Sequence, residues 1–144
     1  MSLQPINGAC LCEGIQFKVT GSPEKVFACY CIDCSKGAGG LYQLMAKFPK
    51  ESINLCQGQD LCKTWIVTET TSGKDKHKVF CGQCGCTLWT IPMNHGGEKI
   101  IVRTSLFGEQ FYSCQPTAEF FAKLRPPFLA PIIGGKSFDN MPGA

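Results

Sequence analysis

The chain has 144 residues, 44% of them hydrophobic and 17% charged, which suits a domain with a buried core and excludes a disordered tail or a coiled coil. Its formal net charge of +3 is spread without blocks of like charge, so we expect no nucleic acid as a partner. No apolar run approaches the ~18 residues of a membrane span, and the N-terminus lacks the layout of a signal peptide. We therefore expect a cytoplasmic protein that does not bind membranes.

Short apolar runs separated by Gly, Pro, Ser and Asn predict a single all-β domain over residues 1–144, with little helix. The predicted strands cover, in chain order, residues 15–19, 26–29, 41–48, 63–68, 77–80, 87–91 and 99–104. Helix is expected over one or two turns at 117–124, where Pro126 and Pro127 would end it.

The cysteines carry the strongest signal for function. An odd number, 11, in a chain without an export signal favours free thiols over a disulfide scaffold. Spacings of one or two residues would strain a disulfide ring but allow neighbouring thiolates to reach one ion. Zinc is the expected metal, because it favours thiolate ligands in tetrahedral sites. Four isolated cysteines are expected to be small buried hydrophobic residues: Cys56, Cys62, Cys86 and Cys114.

Two cysteine pairs predict a closed structural zinc site. Cys10 and Cys12 would present their sulfurs on one face of an extended segment. The second pair lies in Cys81-Gly-Gln-Cys84-Gly, which has the form of a zinc knuckle, and Gly82 and Gly85 permit a positive φ that directs backbone N–H groups at the thiolates. Four thiolates would tie the first strand to a late hairpin, close the sheet and contribute to stability. Two unrelated pairs are the alternative.

The middle group has three thiols, those of Cys29, Cys31 and Cys34. An ion held by three protein ligands keeps a fourth position for water or substrate, which is typical of catalytic zinc. A fourth ligand, Cys86 or Asp33, would instead close the site, and a third interpretation is a trio that binds metal weakly and simply packs. We expect two zinc ions, the second one labile because three ligands bind less tightly than four.

Several zinc chemistries are excluded by motifs that the chain lacks. It has neither the H-E-x-x-H of zincin proteases nor the H-x-E with P-C-x-x-C of nucleobase deaminases. Neither His77 nor His95 stands at ligand spacing from a cysteine group, so both are expected to be surface or structural residues.

The order of the cysteine groups resembles that of the glutathione-dependent formaldehyde-activating enzymes, also called the Gfa/CENP-V domain family. The segments that carry the resemblance are Gly8-Ala-Cys-Leu-Cys12, Cys29-Tyr-Cys-Ile-Asp-Cys34, Phe80-Cys-Gly-Gln-Cys-Gly85 and the acidic–aromatic–Arg ending Glu119-Phe-Phe-Ala-Lys-Leu-Arg125. It covers nearly the whole chain and implies a small β-fold of the Mss4-like type. It also implies a structural zinc on Cys10, Cys12, Cys81 and Cys84, and a catalytic zinc on Cys29, Cys31 and Cys34.

The resemblance implies an activity as well, that of a carbon–sulfur lyase that runs in the synthetic direction. Such an S-(hydroxymethyl)glutathione synthase joins glutathione, or a related thiol, to formaldehyde or a similar aldehyde. An open zinc site would lower the pKa of the incoming thiol or polarise the aldehyde oxygen. Because glutathione is negatively charged, cationic side chains should line its pocket; the candidates are Lys36, Lys47, Arg103 and Arg125.

Two positions depart from the family's pattern. The family commonly has His where this chain has Tyr30, and a basic residue where it has Ser35. Both lie beside the expected catalytic zinc, so a related lyase acting on another thiol adduct also fits the sequence. A non-catalytic, zinc-stabilised protein-binding module of Mss4-like fold is the alternative from a different class.

Overall fold

The computed structural model describes residues 5–141, and its strands form two sheets. Strands hold 39% of the described residues and helices, mostly short 3-10 turns, hold 21%, so the predicted all-β fold is confirmed. The strands are β1 (Ile6–Ala9), β2 (Gln16–Val19), β3 (Lys25–Cys29), β4 (Gln43–Pro49), β5 (Ile53–Gln57), β6 (Cys62–Val67), β7 (Lys76–Cys81), β8 (Thr87–Pro92), β9 (Lys99–Arg103), β10 (Ala118–Phe120) and β11 (Lys136–Ser137). The single α-helix of residues 5–141 is α1 (Ile32–Ala38).

The smaller sheet has the order β1-β2-β5 and is antiparallel. In β2 the side chains of Phe17 and Val19 are buried while those between them are exposed, which is the alternation of a strand with one face on a core. Gly8 lies opposite Phe17, and a Cβ at Gly8 would come within 2.2 Å of the Phe17 ring. The tight contact between β1 and β2 therefore requires glycine at this position.

The larger sheet has the order β11-β10-β3-β4-β9-β8-β7-β6. Its strands are antiparallel except β10, which runs parallel to both β3 and β11. The main hydrophobic cluster lies between the two sheets, where Phe17 meets Trp89 edge-to-face with ring centroids 5.3 Å apart. A second cluster around Phe27, Phe120 and Cys29 covers one end of the larger sheet.

The helical prediction at 117–124 is wrong over the first part of that range. Residues Ala118–Phe120 form β10, because all three side chains are buried and the backbone pairs with β3, a strand about 90 residues earlier. Within the predicted range, Ala122–Leu124 alone forms a single 3-10 turn. Instead, α1 forms in a segment where no helix was expected, capped at one end by the Cys31 side chain and at the other by Gly39 in the left-handed conformation.

The four isolated cysteines are less buried than expected. Cys56 is exposed, so the prediction is wrong there, while Cys62, Cys86 and Cys114 are half-buried and pack against the main cluster.

Within residues 5–141, no helix has both the length and the apolar character that crossing a bilayer requires.

Candidate metal centres

Two hairpin turns bring four thiols together. The turn after β1 carries Cys10 and Cys12, whereas Cys81 is the last residue of β7 and Cys84 lies in the turn that leads to β8. All four Sγ atoms lie within 4.8 Å of one another, with 3.5 Å between Cys10 and Cys12 and 3.8 Å between Cys12 and Cys81. Zinc with four thiolates at about 2.3 Å places neighbouring sulfurs about 3.8 Å apart, so this donor set fits a tetrahedral ion.

Backbone N–H groups surround these sulfurs. The amide of Ile15 donates to Cys10 Sγ, and the amides of Gln83 and Cys84 donate to Cys81 Sγ, each over 3.4 Å. Burial raises the pKa of Cys10 to about 11, whereas a backbone hydrogen bond from Gly14 lowers the pKa of Cys12. The N–H groups stabilise thiolates, which are the form that binds metal.

The local geometry differs from the expectation in two ways. Cys10 and Cys12 lie in a turn rather than an extended segment, because the Glu13 amide donates to the Cys10 carbonyl over 3.0 Å. Gly85 has the expected positive φ of 75°, but Gly82 does not; it is restricted by space, since a Cβ there would lie 2.8 Å from Lys63 Cγ.

The four-cysteine group joins the two sheets instead of closing one sheet. Cys10 and Cys12 follow the first strand of the smaller sheet, whereas Cys81 and Cys84 belong to the larger one. An ion held by all four would therefore act as a cross-link between the sheets, and its binding free energy would contribute to folding.

The three thiols of the middle group also converge. Cys29 ends β3, Cys31 caps α1 and Cys34 lies in the first turn of α1, so their Sγ atoms lie within 4.8 Å of one another. The Cys34 amide donates to Cys31 Sγ over 3.4 Å, which is the short-range contact that a loop entering a helix provides. Among the described residues, neither Cys86 nor Asp33 belongs to this group, so three protein donors leave one tetrahedral position open.

Electrostatics distinguish the three thiols. Hydrogen bonds from Cys29 and Cys34 hold the pKa of Cys31 well below its ordinary value, and the charge of Lys76 acts in the same direction. The hydrogen bonds that Cys29 makes with Cys31 and Cys34 raise the pKa of Cys29. Burial lowers the pKa of Arg103 to about 10, but Arg103 stays cationic at neutral pH and the nearby thiols of Cys34 and Cys29 oppose the shift.

Comparison with known proteins shows the family to which this chain belongs. Residues 5–124 match the sequence profile described as glutathione-dependent formaldehyde-activating enzyme. The chain belongs to this family. Its fold is similar to that in the crystal structure of a Rhodobacter sphaeroides protein determined by structural genomics, with a TM-score of 0.58 and 15% identity over 72% of this chain and 89% of that chain. None of the curated proteins matches the chain.

This member of the formaldehyde-activating family has Tyr30 between two cysteines of the three-cysteine group, and the structure shows what Tyr30 contacts. Its hydroxyl donates to Glu119 Oε1 over 2.5 Å. Glu119 is fully buried and also accepts from Arg125, Ser137 and the amide of Ile132, over 3.1, 2.9 and 3.2 Å. The acidic–aromatic–Arg ending of the family therefore connects the C-terminal segment to the backbone between Cys29 and Cys31.

A basic cleft of about 420 Å³ lies along the same face of the sheet as Cys29. Its cations are Lys25, Lys47 and Lys76, while the one carboxylate of its lining, Glu24, pairs with Lys99. Its floor contains aromatic side chains, those of Phe27, Phe120 and Phe121. Phe27 and Phe120 belong to the apolar cluster that also contains Cys29 and Cys34, which places the cleft beside the three-cysteine group. Lys25 lies over the Phe120 ring, 5.3 Å from its centroid.

The four cationic residues predicted from the sequence to line the thiol pocket lie in different surroundings. Lys47 lines the cleft, with its Nζ 3.3 Å from His95 Nε2. Arg103 is buried near the thiols, Arg125 pairs with Glu119, and Lys36 is exposed on α1. Sequence reasoning missed Lys25 and Lys76 because surface lysines on strands carry no local signal of a shared cleft.

Proposed function

We propose that this chain is a zinc-dependent carbon–sulfur lyase that joins a thiol such as glutathione to formaldehyde or a similar small aldehyde. The observation that carries the proposal is the convergence of Cys29, Cys31 and Cys34 with no fourth protein donor in the group among residues 5–141. Zinc held there would supply the Lewis acidity that lowers the pKa of an incoming thiol or polarises an aldehyde oxygen. Family membership supports a thiol and an aldehyde as the substrates.

The basic cleft supports an anionic thiol. Directly opposed residues of neighbouring strands share a face, so the pairs Lys25–Lys47 and Cys29–Gln43 project from the same side of β3 and β4. Four residues of strand separate the two pairs, about 13 Å, which is comparable with the ~10 Å length of an extended tripeptide. A thiol beside Cys29 would thus have its carboxylates within reach of the lysines.

The state of the cysteines supports a cytoplasmic protein. All 11 are free thiols, and the two groups that would bind zinc need reduced sulfur. Reducing compartments maintain thiols in that state, whereas an oxidising compartment would favour disulfides.

The test is hemithioacetal formation by the zinc-loaded protein, measured above a protein-free blank because thiols add to formaldehyde without an enzyme. Glutathione is compared with the neutral thiol 2-mercaptoethanol. Lys25→Met, at an exposed lysine of the cleft, is expected to raise KM for glutathione about fivefold, since an ion pair near the surface contributes up to about 1 kcal/mol. The KM for 2-mercaptoethanol should not change, because that thiol has no carboxylate.

Lys18→Met is the matched control, because Lys18 is exposed on β2 of the other sheet. It should leave both KM values at those of the parent. A protein that retains its zinc and shows no turnover above the blank with either thiol would reject the lyase and favour the protein-binding module.

A further inference from the structure

Two buried polar side chains beside the three-cysteine group have atoms without a hydrogen-bond partner among the described residues. Gln43 is 4% exposed and Arg103 is 3% exposed. Within the described part of the chain, neither amide atom of Gln43 has a hydrogen-bond partner, and the same holds for Nε of Arg103. Burying such groups unpaired destabilises a fold, so a ligand that pairs with them is the simplest reason to keep them.

Strand register places Gln43 and Arg103 on the side of the sheet that carries Cys29. Gln43 on β4 lies directly opposite Cys29 on β3, and Met45, two residues along β4, lies opposite Arg103 on β9. Residues i and i+2 share a face, and so do opposed residues, so Cys29, Gln43 and Arg103 all project from one side of the sheet.

Gln43 and Arg103 also line a recess of about 410 Å³, together with Tyr42, Cys86 and Phe111. The other nitrogens of the Arg103 guanidinium donate to Thr90 Oγ1 over 2.9 Å and to the Ile101 carbonyl over 3.2 Å. Among residues 5–141, no carboxylate pairs with this buried cation. The recess therefore offers hydrogen-bond donors and a positive charge, which suit an oxygen that carries or develops negative charge.

We propose that Gln43 and Arg103 bind the oxygen of the aldehyde, and that the recess is the aldehyde subsite of the proposed lyase. This inference rests on the proposed function. Small aldehydes fit the recess, and the position of Gln43 opposite Cys29 sets the carbonyl beside the three-cysteine group.

The step balances without further reactants. The thiol releases its proton to solvent, and its sulfur forms a C–S bond to the carbonyl carbon while the C=O π pair moves to the oxygen. Gln43 Nε2 and Arg103 Nε donate hydrogen bonds to that oxygen as its charge develops, and water then supplies the proton that completes the hydroxyl. Gln43 Oε1 is free to accept from this new hydroxyl, so both amide atoms gain partners.

The first experiment uses Gln43→Met, which keeps the volume and removes both unpaired polar atoms. We expect kcat/KM for the aldehyde to fall about 100-fold, as when one donor to a developing oxyanion is lost. KM for the thiol and the zinc content should stay at the parent values, and the melting temperature should be equal or higher, because an unpaired amide has been removed. Gln59→Met, at an exposed position, is the control and should match the parent throughout.

A second measurement does not depend on turnover. Formate carries the charged oxygen that the recess should bind, so it is expected to raise the melting temperature of the parent more than chloride does at equal ionic strength. Gln43→Met should lose this difference. Arg103→Lys should lose it too, since lysine keeps the charge but not the planar donor geometry.

Each outcome decides the matter. An unchanged kcat/KM for the aldehyde in Gln43→Met, or a formate effect equal in parent and variant, would overturn the subsite. So would an activity loss that merely follows a lower melting temperature or lost zinc. A parent without turnover but with Gln43-dependent stabilisation by formate would retain the oxygen-binding recess and reject the lyase reaction.

Discussion

At the scale of single residues, Cys81 is the most constrained thiol of the four-cysteine group. It is fully buried, accepts two backbone N–H groups and lies 3.8 Å from Cys12 Sγ. Structural zinc contributes about 10–16 kcal/mol in small zinc domains, which matches or exceeds the usual total stability of about 5–15 kcal/mol. We expect Cys81→Ser to unfold or aggregate, as measured by soluble yield and circular dichroism.

Cys56→Ser is the matched control for that substitution. Cys56 is exposed, and its thiol donates a hydrogen bond to the nearby backbone carbonyl of Asn54 over 3.5 Å. This variant should melt within about 0.5 kcal/mol of the parent, as surface substitutions usually do. A soluble, folded Cys81→Ser protein without zinc would contradict the structural role of the group.

Cys31 gives the opposite prediction. Its sulfur caps a single short helix, and its group lies at one end of the larger sheet rather than between the two sheets. Cys31→Ser should abolish thiol-dependent turnover while costing about 1 kcal/mol of stability, the usual effect of a changed helix cap. The measurements are turnover above a protein-free blank and the thermal melt.

Cys114→Ser is the comparison, because Cys114 is also half-buried but lies outside both cysteine groups. It should keep full turnover. If Cys31→Ser melts far below the parent and the Cys114→Ser variant, the three thiols hold the fold together and the binding module becomes the better interpretation.

At the scale of elements, the buried carboxylate of Glu119 joins β10 to the C-terminal segment. Burial acts to raise the pKa of Glu119, but hydrogen bonds from Tyr30, Ile132 and Ser137 and the charge of Arg125 outweigh it, so the pKa lies below its ordinary value. Such a carboxylate stabilises the fold above its unfolded pKa of about 4.3, and the contribution is lost as pH falls through the folded pKa.

Glu119→Gln should therefore be destabilised at neutral pH, by about 2 kcal/mol or more, as expected for lost hydrogen bonds to a buried charge. The difference between parent and variant should shrink as pH falls below the unfolded pKa of about 4.3, and it is lost as pH falls through the lowered pKa of the folded carboxylate. Denaturant melts across the pH range measure it. Glu109→Gln, at an exposed position, should show no such pH-dependent gap, and a Glu119→Gln gap that is constant with pH would contradict the charged role.

At the scale of the whole molecule, the two cysteine groups predict two classes of bound zinc. The four-cysteine group joins the sheets, whereas the three-cysteine group has an open position. A mild chelator should remove about one zinc per chain with little change in melting temperature, and the other should leave only as the protein unfolds or its thiols are modified. Metal analysis alongside thermal melts measures both, and a single non-exchangeable zinc would contradict the prediction.

Local patterns in the sequence were sufficient for most of the strands and for both cysteine groups. The alternation of side chains within β2 and the apolar runs in β4, β8 and β9 can be recognised without knowing which strands pair, because each pattern depends on residues close in the chain. The spacing of Cys81 and Cys84 is equally local, since one turn sets the distance between two sulfurs.

Tertiary structure decided what depends on distant neighbours. β10 is a strand because it pairs with β3, and α1 is helical although its short sequence has no amphipathic pattern. Gln43, Arg103 and Lys76 stand in three different strands, and only the tertiary structure brings them around Cys29 and Cys31. The sequence alone thus determined which thiols are present and how each local group is spaced, whereas the surroundings that would select a substrate follow from long-range pairing of strands, which no short stretch of sequence encodes.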